Sequence, residues 1–212
     1  MAESRFEAFL AAFPPQRRRP VDATALAADV RTAFRIDCPP DLVAFWQEIG
    51  CGSFADGELY VFGRDAGEER ESLADWNRQA WREVLPAPQD GGPVYFAETC
   101  FGDQLGFRYR RDGVCIPVLF ALATVELFVM APEFGRLFPD VLTDRFAATD
   151  PEHLAAAKQG VGVLPPGQWY CPIVSPLVGG SAQPHNYTAM TPKTFAAVTI
   201  AEWQALRGNR DR

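Results

Sequence analysis

Near the N-terminus the apolar positions fall at helical spacing, and in the middle of the chain they alternate. In SRFEAFLAAF, Phe6, Phe9, Leu10 and Phe13 stand at i, i+3, i+4 and i+7, which predicts a short amphipathic helix over 4–13. The PPQRRRP that follows stops it and reads as a linker, so residues 1–20 form a helical extension plus linker. Asp22 caps a second expected helix through about Ala33. A third is sharper. Pro40 suits a first helical residue, Asp41 puts a carboxylate in the first turn, and Leu42, Phe45, Trp46 and Ile49 make one apolar stripe. Gly50 is placed to end that helix in the left-handed region.

The period then changes. Asp56-Gly57 signals a turn and GELYVFG a strand. Residues 64–92 are polar and charged, with Pro and Gly at the end, and read as an insertion holding a helix from Ser72 to Trp81. PVYFAE, LGFRYR, VCIPVLF and VELFVMA follow as strands, joined by TCFGDQ and by the tight turn Arg111–Gly113. Connections this short make an antiparallel meander. Pro132 opens a further helix, PEFGRLFPDVLTDRF, which Pro139 must kink or break. Asp150-Pro151-Glu152 starts another, which Gly160 ends. Residues 161–212 read as loop-rich, with a last short helix within TIAEWQALRG. No internal repeat interrupts this order. Helices at both ends and strands between them predict one α+β domain over 1–212, a curved antiparallel sheet backed by N- and C-terminal helices.

Composition supports a large core: 48% of residues are hydrophobic, with 16 Phe and 5 Trp. The longest apolar stretch, near Val114–Met130, is broken by Pro117, Thr124 and Glu126, so no membrane span is expected. Glu3 and Glu7 stand where a signal peptide would carry Lys or Arg, and a cytoplasmic location is expected. A net charge of −7 argues against nucleic acid as a direct partner and suits a basic protein.

The chemical candidates are few. Five cysteines, at 38, 51, 100, 115 and 171, include no CxxC pair, and the two histidines, His153 and His185, lie far from all of them. Reduced, buried thiols fit this better than a disulfide framework or a zinc site. Cys100 lies in AETCFGDQLG, where Gly102 and Asp103 read as turn residues and the thiol as structural. An enzyme using Cys100 or Cys51 with a histidine is the least favoured alternative; it requires a low-pKa thiol. Glu98 and Asp103 read as solvated turn carboxylates rather than an acid–base pair. Gly179-Gly180 lacks the Lys-Ser/Thr of a phosphate loop. No cofactor fingerprint and no metal-ligand spacing stands out.

Two stretches carry a resemblance. CPPDLVAFWQEIGCGSFADGELYVFG resembles the opening signature of the SUKH superfamily, in which a proline-led helix ends in a glycine pair before a short strand. VYFAETCFGDQLGFRYRRDGVCIPVLF resembles that superfamily's meander with its central Phe-Gly-Asp turn. The resemblance implies an α+β fold with a curved sheet, and it makes Trp46, Gly50, Gly52, Gly102 and Asp103 fold determinants. It also implies a non-catalytic binding role. Many bacterial members resemble immunity proteins that neutralise toxins, and fungal relatives regulate cell-wall synthesis and signalling. The leading expectation is therefore an immunity protein that occludes a basic toxin such as a nuclease. A regulator or scaffold of host proteins is the alternative. The candidate contact residues are Asp56, Glu58, Glu98 and Asp103 at the turns, and Glu68, Glu69 and Glu71 in the insertion.

Overall fold

The computed structural model describes residues 5–66, 70–78 and 88–210. The fold is α+β. Its centre is a seven-stranded antiparallel sheet whose strands lie in chain order, each hydrogen-bonded to the next. They are β1 (Pro15–Arg19), β2 (Cys51–Phe54), β3 (Leu59–Val61), β4 (Val94–Thr99), β5 (Gln104–Tyr109), β6 (Cys115–Ala121) and β7 (Glu126–Val129). The meander therefore begins far upstream of the expected strands. A second sheet pairs β8 (Trp169–Pro172) with β9 (Tyr187–Met190) inside the segment read as loop.

The N-terminal helices are α1 (Glu7–Ala12), α2 (Ala23–Phe34) and α3 (Pro40–Glu48). Asp22 caps α2 through its Oδ1, which accepts from the Ala25 amide at 2.9 Å. α1 is no loose extension. Phe6, Phe9 and Phe13 are all buried, and the Phe9 ring meets Phe45 of α3 and Phe54 of β2 edge-on. Burying each such ring contributes about 1.5–3 kcal/mol.

Residues 15–19 were expected to be a linker, yet they form the sheet edge β1. The reason lies in the partner strand. A side-chain carbon at Gly52 would stand 1.9 Å from the Arg17 carbonyl oxygen, and one at Gly50 2.2 Å from that of Arg19. Only glycines there let the two backbones approach to hydrogen-bonding distance. All five β1 residues are exposed, so the strand carries no alternation to read.

The stretch after Pro132 is not a kinked α-helix. It is a 3₁₀ turn, Phe134–Arg136, followed by a π turn, Leu137–Val141, that includes Pro139. Proline lacks the amide needed to continue an α ladder. Phe138 nonetheless stacks on Phe45 with centroids 4.5 Å apart. Of the insertion, α4 (Leu73–Trp76) is described, with Ser72 capping it, whereas Trp81 lies outside the described residues.

α5 (Pro151–Val161) runs past Gly160, and the left-handed residue is Gly162 instead, at φ 81°. Gly160 serves packing: a side-chain carbon there would stand 1.9 Å from the Pro184 carbonyl oxygen. Alanine is the better helix former by about 1 kcal/mol. Gly160→Ala is nevertheless expected to lower the melting temperature, because backbone cannot yield as a flexible side chain would. An unchanged or raised midpoint would contradict this packing. The last helix, α6 (Pro192–Arg210), is longer than expected.

Candidate functional site

The Cys100–Asp103 turn between β4 and β5 is not a solvated hairpin tip. Cys100 is buried, its carbonyl accepts from the Tyr170 amide at 2.8 Å, and its amide donates to the Glu58 carbonyl at 2.9 Å. β8 thus docks on the turn. Gly102, at φ 81°, lies flat against the indole of Trp169, where a side-chain carbon would stand 2.5 Å from the ring. The Thr99 hydroxyl accepts from the amides of Phe101 and Asp103, both at 3.2 Å, and holds the turn closed. Phe101 projects beside Tyr170 and Tyr187, at centroid distances of 5.8 and 5.9 Å.

This junction opens into a cleft of about 340 Å³. One wall is Phe101, Asp103 and the β6–β7 turn, with Ala121, Ala123 and Thr124. The other is Pro172, Pro176, Ser181 and Tyr187, with Asp150 and His153 at the start of α5. Asp103 Oδ1 accepts from the Leu122 amide at 3.0 Å, which ties the two turns together. Burial pushes its carboxyl up to about 6, against the pull of that amide and of Thr99. His153 Nδ1 and the Tyr187 hydroxyl are 2.6 Å apart, and Asp150 caps α5 through the Glu152 and His153 amides.

A second depression of about 390 Å³ continues from the cleft, since Ala123 and Pro172 line both. It runs between the loop after β8 and the first turns of α6. Its borders carry exposed aliphatics: Ile173 at 60%, Val174 at 47%, Val178 at 52% and Val198 at 54%. Asn186 fixes this loop. Its Oδ1 accepts from the Val174 amide at 2.7 Å, and its Nδ2 donates to the carbonyls of Val174 and Ser181 at 3.1 and 2.9 Å. Glycines 179 and 180 close the same loop, in keeping with their reading as turn geometry.

The acidic candidates separate into three groups. Glu58 and Glu98 are buried, so neither is a solvated surface charge. Arg145 grips Glu58 with two bonds of 2.6 Å, and Lys158 of α5 adds a third at 2.5 Å. Burial alone would raise the Glu58 carboxyl, but these two cations hold it below its ordinary value. Glu98 accepts from Trp169 Nε1 at 3.1 Å and pairs with Arg70. Burial raises its carboxyl, with Arg70 opposing. Asp56 and Glu71 are the second group: Asp56 is exposed beside Arg145, and Glu71 pairs with Lys193 of α6. Asp103 alone faces the cleft. Glu68 and Glu69 lie outside the described residues.

Burial raises every thiol that the cysteine-enzyme alternative could use. Cys100 and Cys51 shift upward, and Cys38, Cys115 and Cys171 reach about 12. We expect slow alkylation of the folded chain at neutral pH, with all five thiols appearing on denaturation. Rapid labelling of one thiol in the folded state would contradict this environment. Among the described residues no group of three or more His, Cys, Asp or Glu is placed to hold a metal ion. No helix there is long and apolar enough to cross a membrane.

No protein-family model matches the chain, and no curated protein matches it. Among solved structures, the crystal structure of Atu4351 from Agrobacterium tumefaciens is similar, with a TM-score of 0.60 at 13% identity. The match covers 92% of this chain and 88% of that one. Likeness at this identity shows a shared fold.

Proposed function

We infer that the chain is a non-catalytic protein-binding module, an immunity protein that neutralises a basic toxin such as a nuclease in the cytoplasm by covering its active site. The observation that carries this reading is the apolar face formed by Ile173, Val174, Val178 and Val198 around one depression. Contiguous exposed aliphatics on a folded chain mark docking surfaces. The net charge of −7 supports a basic occupant, because opposite charge steers encounter and suppresses wrong partners. The resemblance of the Pro40 helix and the Phe101–Asp103 turn to the SUKH superfamily supports the same role. On this reading the contact face lies away from Glu58 and Glu98, whose charges are paired inside the molecule.

The direct test is to express the reading frame adjacent to this chain's own in a bacterial host, alone and with the chain. Growth arrest relieved by the chain supports neutralisation. A harmless neighbour, or arrest that the chain leaves unrelieved, counts against it.

A further inference from the structure

Asp103 poses a question that its role in the turn does not answer. Its carboxylate takes two bonds inside the molecule, from the Leu122 amide and the Thr99 hydroxyl, and an asparagine oxygen would accept either without a charge. An ionised carboxylate in this setting costs stability at neutral pH, since burial has moved its titration up to about 6. A charge kept at such a cost, on the wall of an open cleft, points to a ligand.

The surroundings define that ligand's chemistry. Two aromatic rings, Phe101 and Tyr187, line the same cleft as the carboxylate with centroids 5.9 Å apart, and Asp150, which caps α5, lines it as well. Among the described lining residues there is no Lys or Arg, and His153 is engaged with Tyr187. The Thr124 hydroxyl is shielded from solvent, and among the described residues it has no hydrogen-bond partner. A carboxylate and aromatic faces with no competing cation suit a planar cation that stacks and donates several hydrogen bonds.

We propose that the cleft between the Phe101–Asp103 turn and the β8–β9 lobe receives an arginine side chain of the partner protein, with Asp103 pairing its guanidinium and the Phe101–Tyr187 ring pair beside it. This rests on the protein-binding reading, and it gives that face a specific anchor. The apolar depression continues from the cleft, so an arginine seated there would draw the neighbouring partner surface onto Val174 and Val198.

The test needs no partner. Isotope-labelled protein is titrated with N-acetyl-arginine amide, with its neutral isostere N-acetyl-citrulline amide, and with free L-arginine, following the Leu122 and Tyr187 amides by NMR. Saturable shifts with the arginine amide and none with the citrulline amide are expected. Asp103→Asn should weaken binding by about tenfold or more, the worth of a charge-assisted hydrogen bond. It should also raise the melting temperature at pH 7, which shows that the variant is folded. Ser181→Lys, on the exposed rim, should weaken the same titration by repulsion. No saturable shift, equal response to citrulline, or binding unchanged in Asp103→Asn would overturn the proposal. Much tighter binding of free arginine than of the capped amide would overturn a partner side chain as its source. A chain that binds the arginine amide but relieves no toxin would reject the immunity role and keep the site.

Discussion

Replacing Glu58 by Gln lowers the melting temperature by about 5–10 °C at pH 7, at about 2–4 °C per kcal/mol for a chain of this size. Glu58 is buried on β3's approach, and two cations from the C-terminal half converge on it. Removing one partner of a buried pair costs about 3–5 kcal/mol, mostly by leaving uncompensated charge. Here the cations can turn to solvent, since Arg145 and Lys158 side chains are 36% and 43% exposed. That reduces the expected loss to about 2–3 kcal/mol.

The pH dependence carries a sign. The Glu58 carboxyl is held below its ordinary value of 4.5, so the folded chain binds that proton more weakly than the unfolded one. Its stabilisation is complete above 4.5 and fades as pH falls through the lower, folded value. The gap between wild type and Glu58→Gln should therefore narrow below 4.5. Asp103 behaves oppositely. Its carboxyl is raised from 3.8 to about 6, so wild type gains relative to Asp103→Asn as pH falls through that window. A gap at Glu58 that is independent of pH in acid would contradict the ion cluster.

The second large effect falls on binding. Val174→Asp with Val198→Asp puts two charges into the apolar depression, on side chains that are 47% and 54% exposed. Stability should change by less than about 1 kcal/mol, since neither residue is a core member. If the proposed docking face is right, affinity for the protein partner should drop about a hundredfold or more, as when a central apolar anchor is lost. A matched pair at Arg17 and Arg18, on the far sheet edge β1, should leave affinity unchanged apart from steering.

The sequence marked the elements that carry an apolar stripe or an apolar run bounded by turn residues. α3 shows its stripe through Leu42, Phe45 and Trp46, and β4 to β7 stand out as apolar runs between clear turns, β4 being buried along its whole length. β1 was hidden because both its faces are exposed, and β8 and β9 because prolines and glycines surround them. The site was half legible. The Phe101–Asp103 turn stood out by composition, but its burial depends on Trp169 and Tyr170, almost seventy residues on. Glu58 and Glu98 look like ordinary turn carboxylates until Arg145, Lys158 and Arg70 close over them. The apolar face arises from Asn186 clamping a loop that contains no periodic signal.

The most direct test of the account is paired capture from the source cells, with wild type and the Val174→Asp/Val198→Asp chain as baits. Wild type should hold one basic protein in stoichiometric amount, and the variant should lose it. That protein should be toxic when expressed, and wild type but not the variant should relieve it. Identical proteins on both baits, or toxicity relieved equally by both chains, would contradict it.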